Sequence, residues 1–262
     1  MKADWNRVVE EWLANHPHPA WRQHSDRVNS DLVERWLPAK SGCLLKTDLF
    51  DEVASDGIYP LLATRADKIC GMDVSLYTAT AARRKYPEVG ACAADIRGLP
   101  FANSSFDAIV SLSTVDHFAD PADIEVSLKE LWRVMRPGGT LVITVDNRSN
   151  PLIALRNSLP YSFLRKLGLV SYPVGRTLTF RGAYKTVELA GFAVCDCIGI
   201  LLAPRVLAIP LVELAARHGT RRMRDGITNC LMWMERLQQN PVAPRLAHFV
   251  AIRATKPVGA FA

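Results

Sequence analysis

The chain has 262 residues, a formal net charge of +6, 49% hydrophobic residues and 22% charged residues. This composition is ordinary for a globular protein with a sizeable core, and it excludes a largely disordered chain. The most apolar stretch, residues 197–212, is interrupted by Pro204, Arg205 and Pro210. It is shorter than the roughly 18–20 apolar residues that a membrane span needs. Residues 1–16 lack the apolar segment of a signal peptide, so we expect a cytoplasmic location.

Six scattered cysteines show no pattern of disulfide pairing or metal ligation. Cys195 and Cys197 fall two residues apart in a predicted strand, but no further Cys or His stands near them in sequence. We therefore expect reduced thiols and no metal site.

Charge is divided unevenly along the chain. Residues 1–147 hold 16 Lys and Arg against 21 Asp and Glu, whereas residues 148–262 hold 16 against 5. The densest basic cluster comprises Arg217, Arg221, Arg222 and Arg224. The excess favours an anionic substrate or an anionic surface as partner, and a solvated basic face is the alternative. Because no aromatic residues are interleaved with this cluster, a nucleic-acid partner is not expected.

Two helices are predicted at the N-terminus. Apolar residues at helical spacing predict an amphipathic helix over residues 3–14 and a second helix from near Ser25 to residue 37. A turn rich in His and Pro separates them. Trp21 and His24 are interpreted as packing residues, and the alternative is that they line the mouth of a site.

From residue 43 onward, short apolar runs alternate with helical patterns. Strands are predicted over residues 43–48, 68–72, 91–94, 106–112, 140–145, 192–198 and 248–254. Helices are predicted over residues 58–66, 76–86, 121–135, 184–190, 204–217 and 225–238. Near-continuous apolar strands joined by helices are typical of a parallel sheet buried on both faces.

Residues 152–175 interrupt this alternation with an apolar and basic segment. The pattern predicts a helical insertion that forms a lid. Its character suggests a substrate with an apolar body and an anionic group, or contact with a membrane surface. Packing of the lid against the core is an equally weighted interpretation.

Polar residues follow several of the predicted strands. Because parallel strands end at one edge of a sheet, Ser111, Leu112 and residues 113–118 are expected to face a ligand there. Asp73 ends the second strand, where its two carboxylate oxygens can accept both ribose hydroxyls of an adenosine. Nicotinamide cofactors use the same contact. The alternative is that Asp73 caps the next helix, a role that Ser75 could fill equally well.

Three motifs in combination are specific. They are Leu99-Pro100-Phe101, the strand opening Ser105-Phe106-Asp107, and residues 131–139, which end in Arg136-Pro137-Gly138-Gly139. Proline ends the helix there, and the glycines allow a tight reversal with positive φ. Together they resemble the class I S-adenosylmethionine-dependent methyltransferases, and the sequence is similar to the branch that methylates small molecules and lipids. The resemblance covers roughly residues 40–150.

This resemblance implies S-adenosylmethionine as cofactor and assigns its contacts. Asp73 would hold the ribose, and Val74 would touch the adenine. Asp95 would accept a hydrogen bond from the adenine amino group, and Ile96 would pack on the ring or form a hydrogen bond to it. Ser111 and Leu112 would lie near the sulfonium and the substrate.

The chain departs from the family after the first strand, where a glycine-rich turn is expected and the sequence reads LLKTDLFDEVASDG. Gly57 falls where the last glycine of that turn should lie. Asp48 or a neighbour is expected to anchor the methionine ammonium. The opposing interpretation is that cofactor binding is lost, which would make the protein a nonenzymatic relative acting through a partner.

A catalytic residue is suggested after the fourth strand. His117 could deprotonate an acceptor hydroxyl, and helix capping, cofactor binding or positioning without a base are the alternatives. Asp116 could orient it, although sequence neighbours rarely pair well.

The predicted fold is a doubly wound, mostly parallel seven-stranded α/β sheet with an α-helical cap from residues 1–39. Residues 40–262 would form the Rossmann-like methyltransferase domain, with a lid at about 150–180. The predicted function is methyl transfer from S-adenosylmethionine to a small or lipid-like, anionic acceptor. A nicotinamide oxidoreductase is a weaker alternative, because the chain lacks GxGxxG.

Overall fold

The computed structural model of the chain describes residues 4–15, 18–118, 120–166, 170, 175 and 177–259. A sheet of seven strands lies at its centre. In chain order the strands are β1 (Ser41–Lys46), β2 (Ala66–Asp73), β3 (Gly90–Ala93), β4 (Phe106–Leu112), β5 (Met135–Asp146), β6 (Ala193–Ile200) and β7 (Phe249–Thr255).

The strand order in the sheet is β3-β2-β1-β4-β5-β7-β6. The strands from β3 to β5 pair in parallel, whereas β7 runs antiparallel to both of its neighbours, β5 and β6. The chain moves outward from β1 in one direction, then returns to start β4 on the other side of β1. This reversal of direction creates a crevice at the carboxyl ends of β1 and β4. The predicted doubly wound, seven-stranded, mostly parallel sheet is confirmed.

Helices cover both faces of this sheet. They are α1 (Trp5–Asn15), α2 (Pro19–Trp36), α3 (Phe50–Ala54), α4 (Tyr59–Arg65), α5 (Leu76–Lys85), α6 (Pro121–Val134), α7 (Pro151–Ser158), α8 (Tyr161–Lys166), α9 (Phe180–Leu189), α10 (Arg205–His218), α11 (Arg221–Glu235) and α12 (Ala243–Leu246). A short 3-10 turn, Val115–His117, follows β4.

The central strands divide their side chains between two apolar cores. Leu44 and Ala108 face a core shared with α2, α4, α10 and α11, whereas their neighbours Leu45 and Ile109 face a core shared with α6 and α9. All four side chains are fully buried. Burial on both faces explains why these strands are nearly continuous apolar runs without alternation. Because α2 lies within the first core, the predicted N-terminal cap packs directly on the sheet.

Several local features differ from the sequence predictions, among them the starts of α9 and α11, which lie about one turn earlier than predicted. Helix α2 begins at Pro19, earlier than Ser25, because a proline in the first helical turn already has a helical φ and no N–H that needs an acceptor. Helix α3 was predicted as a loop, since five residues show no apolar period. Strand β5 begins at Met135, which pairs with Phe106 before the register shifts. Gly138, at φ 80°, makes the predicted reversal.

The predicted lid is described only in part. Its first half forms α7 and α8, two short helices that each bury one apolar side chain, Ile153 and Leu164. Residues 167–169, 171–174 and 176, which the lid prediction also covers, lie outside the described residues. Across the described parts of the chain, every helix is too short or too polar to cross a bilayer.

Candidate active site

The carboxyl ends of β1, β2, β4 and β5 meet at one edge of the sheet, and α1 and α2 pass over this edge. The chain there is polar: Asp48 follows β1, Asp73 ends β2, Ser113 follows β4 and Asp146 ends β5. Ligands of doubly wound sheets bind at this edge.

A buried ion pair organises the loop after β1. The Lys46 ammonium lies 2.7 Å from a carboxylate oxygen of Glu52, and both side chains are at most 2% exposed. Burial acts to lower the pKa of Lys46, but the charges of Glu52 and Asp48 outweigh it and raise the pKa overall. Lys46 also donates a hydrogen bond to the backbone carbonyl of Asp48. The pair therefore fixes both the start of α3 and the strand tip.

Gly57 belongs to the same loop and depends on the same carboxylate. Its φ is 57°, and a Cβ placed on it would lie 2.5 Å from Oε1 of Glu52. That oxygen accepts a hydrogen bond from the backbone N–H of Ile58 at 3.1 Å. Only glycine combines this backbone conformation with this close contact. Gly57 thus packs against Glu52. It follows α3 in the chain, whereas the tip of β1 precedes α3.

Helices α1 and α2 are fastened over this loop by Arg22. Its guanidinium forms an ion pair with Asp51 and lies 5.0 Å from the ring centres of both Trp12 and Phe50. The Trp12 and Phe50 rings meet edge to face at 4.9 Å. Burial acts to raise the pKa of Asp51, but the Arg22 charge outweighs it and lowers the pKa. The loop is consequently covered by aromatic and cationic groups from the N-terminal helices.

Asp48 and Asp73 come together at the tips of β1 and β2. One carboxylate oxygen of Asp73 accepts from the N–H of Ser75 at 2.8 Å and the other from the N–H of Leu49 at 3.2 Å. Burial raises the pKa of both carboxyls, and the nearby Asp73 charge raises that of Asp48 further. The two carboxyl groups therefore lie close enough to influence one another, and the Val74 side chain next to Asp73 is half exposed.

Asp95 and Ile96, which follow β3, have their side chains held by Arg97 and by the apolar core. Arg97 holds the Asp95 carboxylate in a two-pronged ion pair, with contacts of 3.0 and 2.5 Å, and reaches Asp123 at 3.1 Å. The Ile96 side chain is buried in the core beside Leu99. Ile96 therefore presents its backbone, not its side chain, to the edge of the sheet.

Hydroxyl groups connect the tips of β1 and β4. Thr47 donates to the buried Ser111 hydroxyl at 2.8 Å and lies 3.0 Å from the Thr114 hydroxyl. Leu112 is buried beside them. Ser113 has a positive φ of 51°, so the chain turns sharply before His117.

His117 lies under α1. The Trp5 ring centre is 5.3 Å from the His117 ring centre, and Nε2 is 3.9 Å from Asp116. Asp116 instead accepts hydrogen bonds from the N–H of Asp146 and the hydroxyl of Ser113, each at 3.0 Å. At that separation Asp116 makes no hydrogen bond to His117.

A cluster that the sequence did not predict lies beside Asp146. One carboxylate oxygen is 3.3 Å from Nε2 of His248 and the other is 2.5 Å from Arg156. Arg205 also reaches Nε2 of His248, at 3.0 Å. The partners are distant in sequence. A signal was present, because Asp146 ends β5 and His248 precedes the antiparallel β7, which places both at the same edge.

The protonation states in this cluster follow from its burial. Burial and the Arg205 charge lower the pKa of His248 to about 4, so its ring is neutral near pH 7. Burial acts to raise the pKa of Asp146, but His248 and Arg156 outweigh it and lower the pKa. The cluster thus combines one carboxylate, a neutral imidazole and two guanidinium groups. Among the described residues, no group of His, Cys, Asp and Glu has the arrangement of a metal site.

Comparison with known proteins agrees with this architecture. A methyltransferase domain family matches residues 54–143. A probable S-adenosylmethionine-dependent methyltransferase of Mycolicibacterium smegmatis is 27% identical over 192 residues, covering 72% of this chain and 67% of the relative. A demethylmenaquinone methyltransferase of Paenarthrobacter aurescens is 32% identical over 98 residues, but the match spans only 37% of either protein.

Solved structures share the fold at low identity. A chain from the complex of the Haloferax volcanii Trm112 methyltransferase activator with a putative methyltransferase superposes with a TM-score of 0.62 at 16% identity, covering 95% of this chain and 97% of that one. The N-methyltransferase NodS of Bradyrhizobium japonicum, in complex with S-adenosyl-L-homocysteine, gives 0.57 at 12% identity, covering 97% and 100%.

The sheet order and these matches together support a class I S-adenosylmethionine-dependent methyltransferase. The protein is an S-adenosylmethionine-dependent enzyme, and S-adenosylmethionine is its cofactor. Neither the oxidoreductase nor the nonenzymatic interpretation is favoured.

The Lys46–Glu52 pair generates a prediction about stability. Replacing Glu52 by Gln keeps its shape but removes the carboxylate that lies against the buried Lys46 ammonium. We expect the free energy of unfolding, measured by urea denaturation, to fall by about 3–5 kcal/mol. Glu34→Gln, which removes an exposed partner of Arg65, should cost less than about 1 kcal/mol. Combining Lys46→Met with Glu52→Leu should recover most of the loss, and equal losses in all three variants would contradict the assignment.

Proposed function

We propose that this methyltransferase acts on a small, lipid-like acceptor that carries an anionic group. The observation that carries this proposal is the convergence of Arg156 and Arg205 on the Asp146–His248 pair. Arg156 at Asp146 and Arg205 at His248 place two guanidinium groups beside this pair. A guanidinium carries five N–H donors in a fixed fork, so an acceptor carboxylate or phenolate can accept further hydrogen bonds from these side chains. The relative named for demethylmenaquinone supports a small-molecule acceptor.

The apolar part of the acceptor would lie against the helices that supply these arginines. Leu155 on α7 and Val206 on α10 are neighbours in sequence of Arg156 and Arg205, and both are largely exposed. An acceptor with its anionic group at the arginines would place its apolar body along these side chains. Such an acceptor agrees with the anionic substrate that the basic C-terminal part of the chain favours.

The residues at the sheet edge fit the cofactor. Asp48 and Asp73 raise the electrostatic cost of ionising one another, so a bound cation between them relieves their repulsion. The cofactor carries an ammonium and a sulfonium, and its sulfonium supplies an electrophilic methyl group. We assign the ammonium to Asp48 and the ribose to Asp73, whose two oxygens each keep further lone pairs beside one backbone donor.

The remaining cofactor contacts are proposed with adjustments. Val74 would cover one face of the adenine, the backbone of Ile96 would meet its edge, and Asp95 would share its carboxylate between the adenine amino group and Arg97. Ser111 and Leu112 would line the pocket near the sulfonium. Gly57 would act indirectly, because it holds Glu52 and therefore the loop.

His117 is the better candidate for a base. Its side chain is partly exposed under Trp5, at the turn that follows β4. His248 is nearly buried and has a pKa of about 4, which makes it a weak base at neutral pH. We therefore infer that His117 takes the proton of an acceptor hydroxyl, while His248 holds Arg205 in place.

The ribose assignment predicts weaker cofactor binding in Asp73→Ala. The variant loses both acceptor oxygens, and the affinity for S-adenosylhomocysteine should fall at least tenfold, about 1.4 kcal/mol. Isothermal titration calorimetry measures this directly. Asp67→Ala, which removes an exposed carboxylate near the start of the same strand, should bind as the parent does. An unchanged affinity in a folded Asp73→Ala protein refutes the assignment.

The acceptor proposal predicts discrimination between an acid and its amide. Release of S-adenosylhomocysteine should be measured with a panel of long-chain and aromatic hydroxy acids, each beside the matching amide. The acids should react with at least tenfold higher kcat/KM. Arg156→Gln should remove that preference, whereas Arg148→Gln, at a neighbouring exposed arginine, should keep it. Equal turnover of acid and amide would contradict an anionic acceptor.

The role of His117 predicts a selective effect on turnover. With the best acid from that panel, His117→Gln should lower kcat by about 10²–10⁴-fold with little change in KM. His218→Gln, on the exposed end of α10, serves as the control. If His117→Gln retains full turnover, the reaction depends on positioning alone.

A further inference from the structure

Helix α10 is apolar on the side that faces away from the core. Its inward residues, Ala208, Val212 and Ala215, are buried. Its outward face is formed by Val206, Leu207, Pro210, Leu211 and Leu214, which recur at helical spacing and are exposed. Leu207, for example, is 70% exposed. An outward face of a surface helix is ordinarily polar, so this face, which we call the α10 apolar face, requires a partner.

The α10 apolar face reaches the mouth of the proposed acceptor site. Arg205, the first residue of α10, contacts His248, and Arg156 of α7 contacts Asp146 in the same cluster. Helix α7 also exposes apolar side chains, Leu152 and Leu155. The site is therefore bordered by exposed apolar residues on the two helices that supply its arginines.

Positive charge lies at the other end of the face. The turn between α10 and α11 brings together exposed basic residues, which are Arg217, His218, Arg221, Arg222 and Arg224. The acidic residue nearest to them in the sequence is Asp225, which lies 3.9 Å from Arg221. The side chains of Asp225 and Arg221 are both largely exposed. We call these five residues the basic turn. It contributes four of the 16 Lys and Arg residues in the basic C-terminal part of the chain, residues 148–262.

The α10 apolar face and the basic turn together favour one kind of partner. A second copy of the chain placed on the same face would cover the leucines but would supply no anionic groups to the arginines of the basic turn. A nucleic acid would satisfy the arginines but would leave the leucines in water. A bilayer with anionic headgroups satisfies both, because leucine side chains enter the acyl boundary while arginines remain among the phosphates.

We propose that the α10 apolar face and the basic turn form a docking surface for an anionic lipid bilayer. The helix lies in the interface and does not cross it. The mouth beside Arg156 and Arg205 then faces the membrane, so that a lipid-like acceptor enters without passing through water. The docking surface goes beyond the methyl transfer itself and is tested without cofactor or acceptor.

The test is cosedimentation of the full chain with vesicles. One set consists of phosphatidylcholine alone and another contains about one third phosphatidylglycerol. The protein should sediment with the anionic vesicles and remain in solution with the neutral ones. Binding should weaken steeply as the salt concentration rises from about 0.1 to 0.5 M, because headgroup attraction is screened. Absence of binding to both sets would overturn the proposal.

Two sets of variants separate the apolar and the basic parts. Arg221→Gln, Arg222→Gln and Arg224→Gln together should weaken binding roughly 100-fold, since each cation near an anionic surface is worth about fivefold. Leu207→Ser with Leu211→Ser should weaken it at least tenfold. The controls are Arg83→Gln with Arg84→Gln on α5 and Leu189→Ser at the end of α9, which change exposed residues elsewhere. If the controls weaken binding as much as the variants do, the surface is wrongly assigned.

Other occupants give distinct results. A concentration-dependent dimer in light scattering that Leu207→Ser with Leu211→Ser abolishes, without vesicle binding, would assign the face to self-association and overturn the proposal. Binding to a random RNA that depends on the arginines alone, again without vesicle binding, would overturn it as well. Calorimetric titration of the same variants with S-adenosylhomocysteine should give the parent affinity, so a failure of docking is separable from a failure of methyl transfer.

Discussion

The site depends on one buried ion pair. Lys46 and Glu52 are removed from water almost completely, and neither charge has another way to be compensated in full. Because Lys46 ends β1 and Glu52 lies in α3, the pair ties the central strand to the first helical turn after it. Glu52 also sets the position of Gly57 and Ile58. The loop where the family resemblance calls for glycines is therefore held by charge.

The recognisable part of the chain begins just after this ion pair. The methyltransferase domain match starts at residue 54, just past the ion pair, and continues through the strand that carries the Pro-Gly-Gly reversal. The central sheet has the predicted doubly wound arrangement. Asp48 and Asp73 lie at the tips of β1 and β2, and the loop after β1 is stabilised by an electrostatic network that includes Asp51 and Arg22.

The sheet was predictable, and the charge network was not. Strands such as β4 and β5 are continuous apolar runs bounded by turn residues, so their type and direction follow from burial on two faces. Helix α3 is too short to show a period. The contacts of Asp146 with His248 join segments that only the antiparallel return of β7 brings together. Asp95 follows β3 as predicted, but its ion pair with Arg97 could not be predicted from the sequence. The sequence pattern thus predicted where these residues lie in the strands and loops, whereas their interaction partners are evident only in the folded structure.

Helix α1 makes the enclosure of the site easy to open. Its side chains touch the two ends of the pocket, Trp5 at His117 and Trp12 at Phe50, yet Val9 is its only buried residue. A helix with so little buried surface can detach while both cores stay intact, at a fraction of the free energy of global unfolding. Fraying of this one short helix would uncover His117 and Phe50 without disturbing the sheet. Site closure and fold stability are in this way separate properties that can change independently.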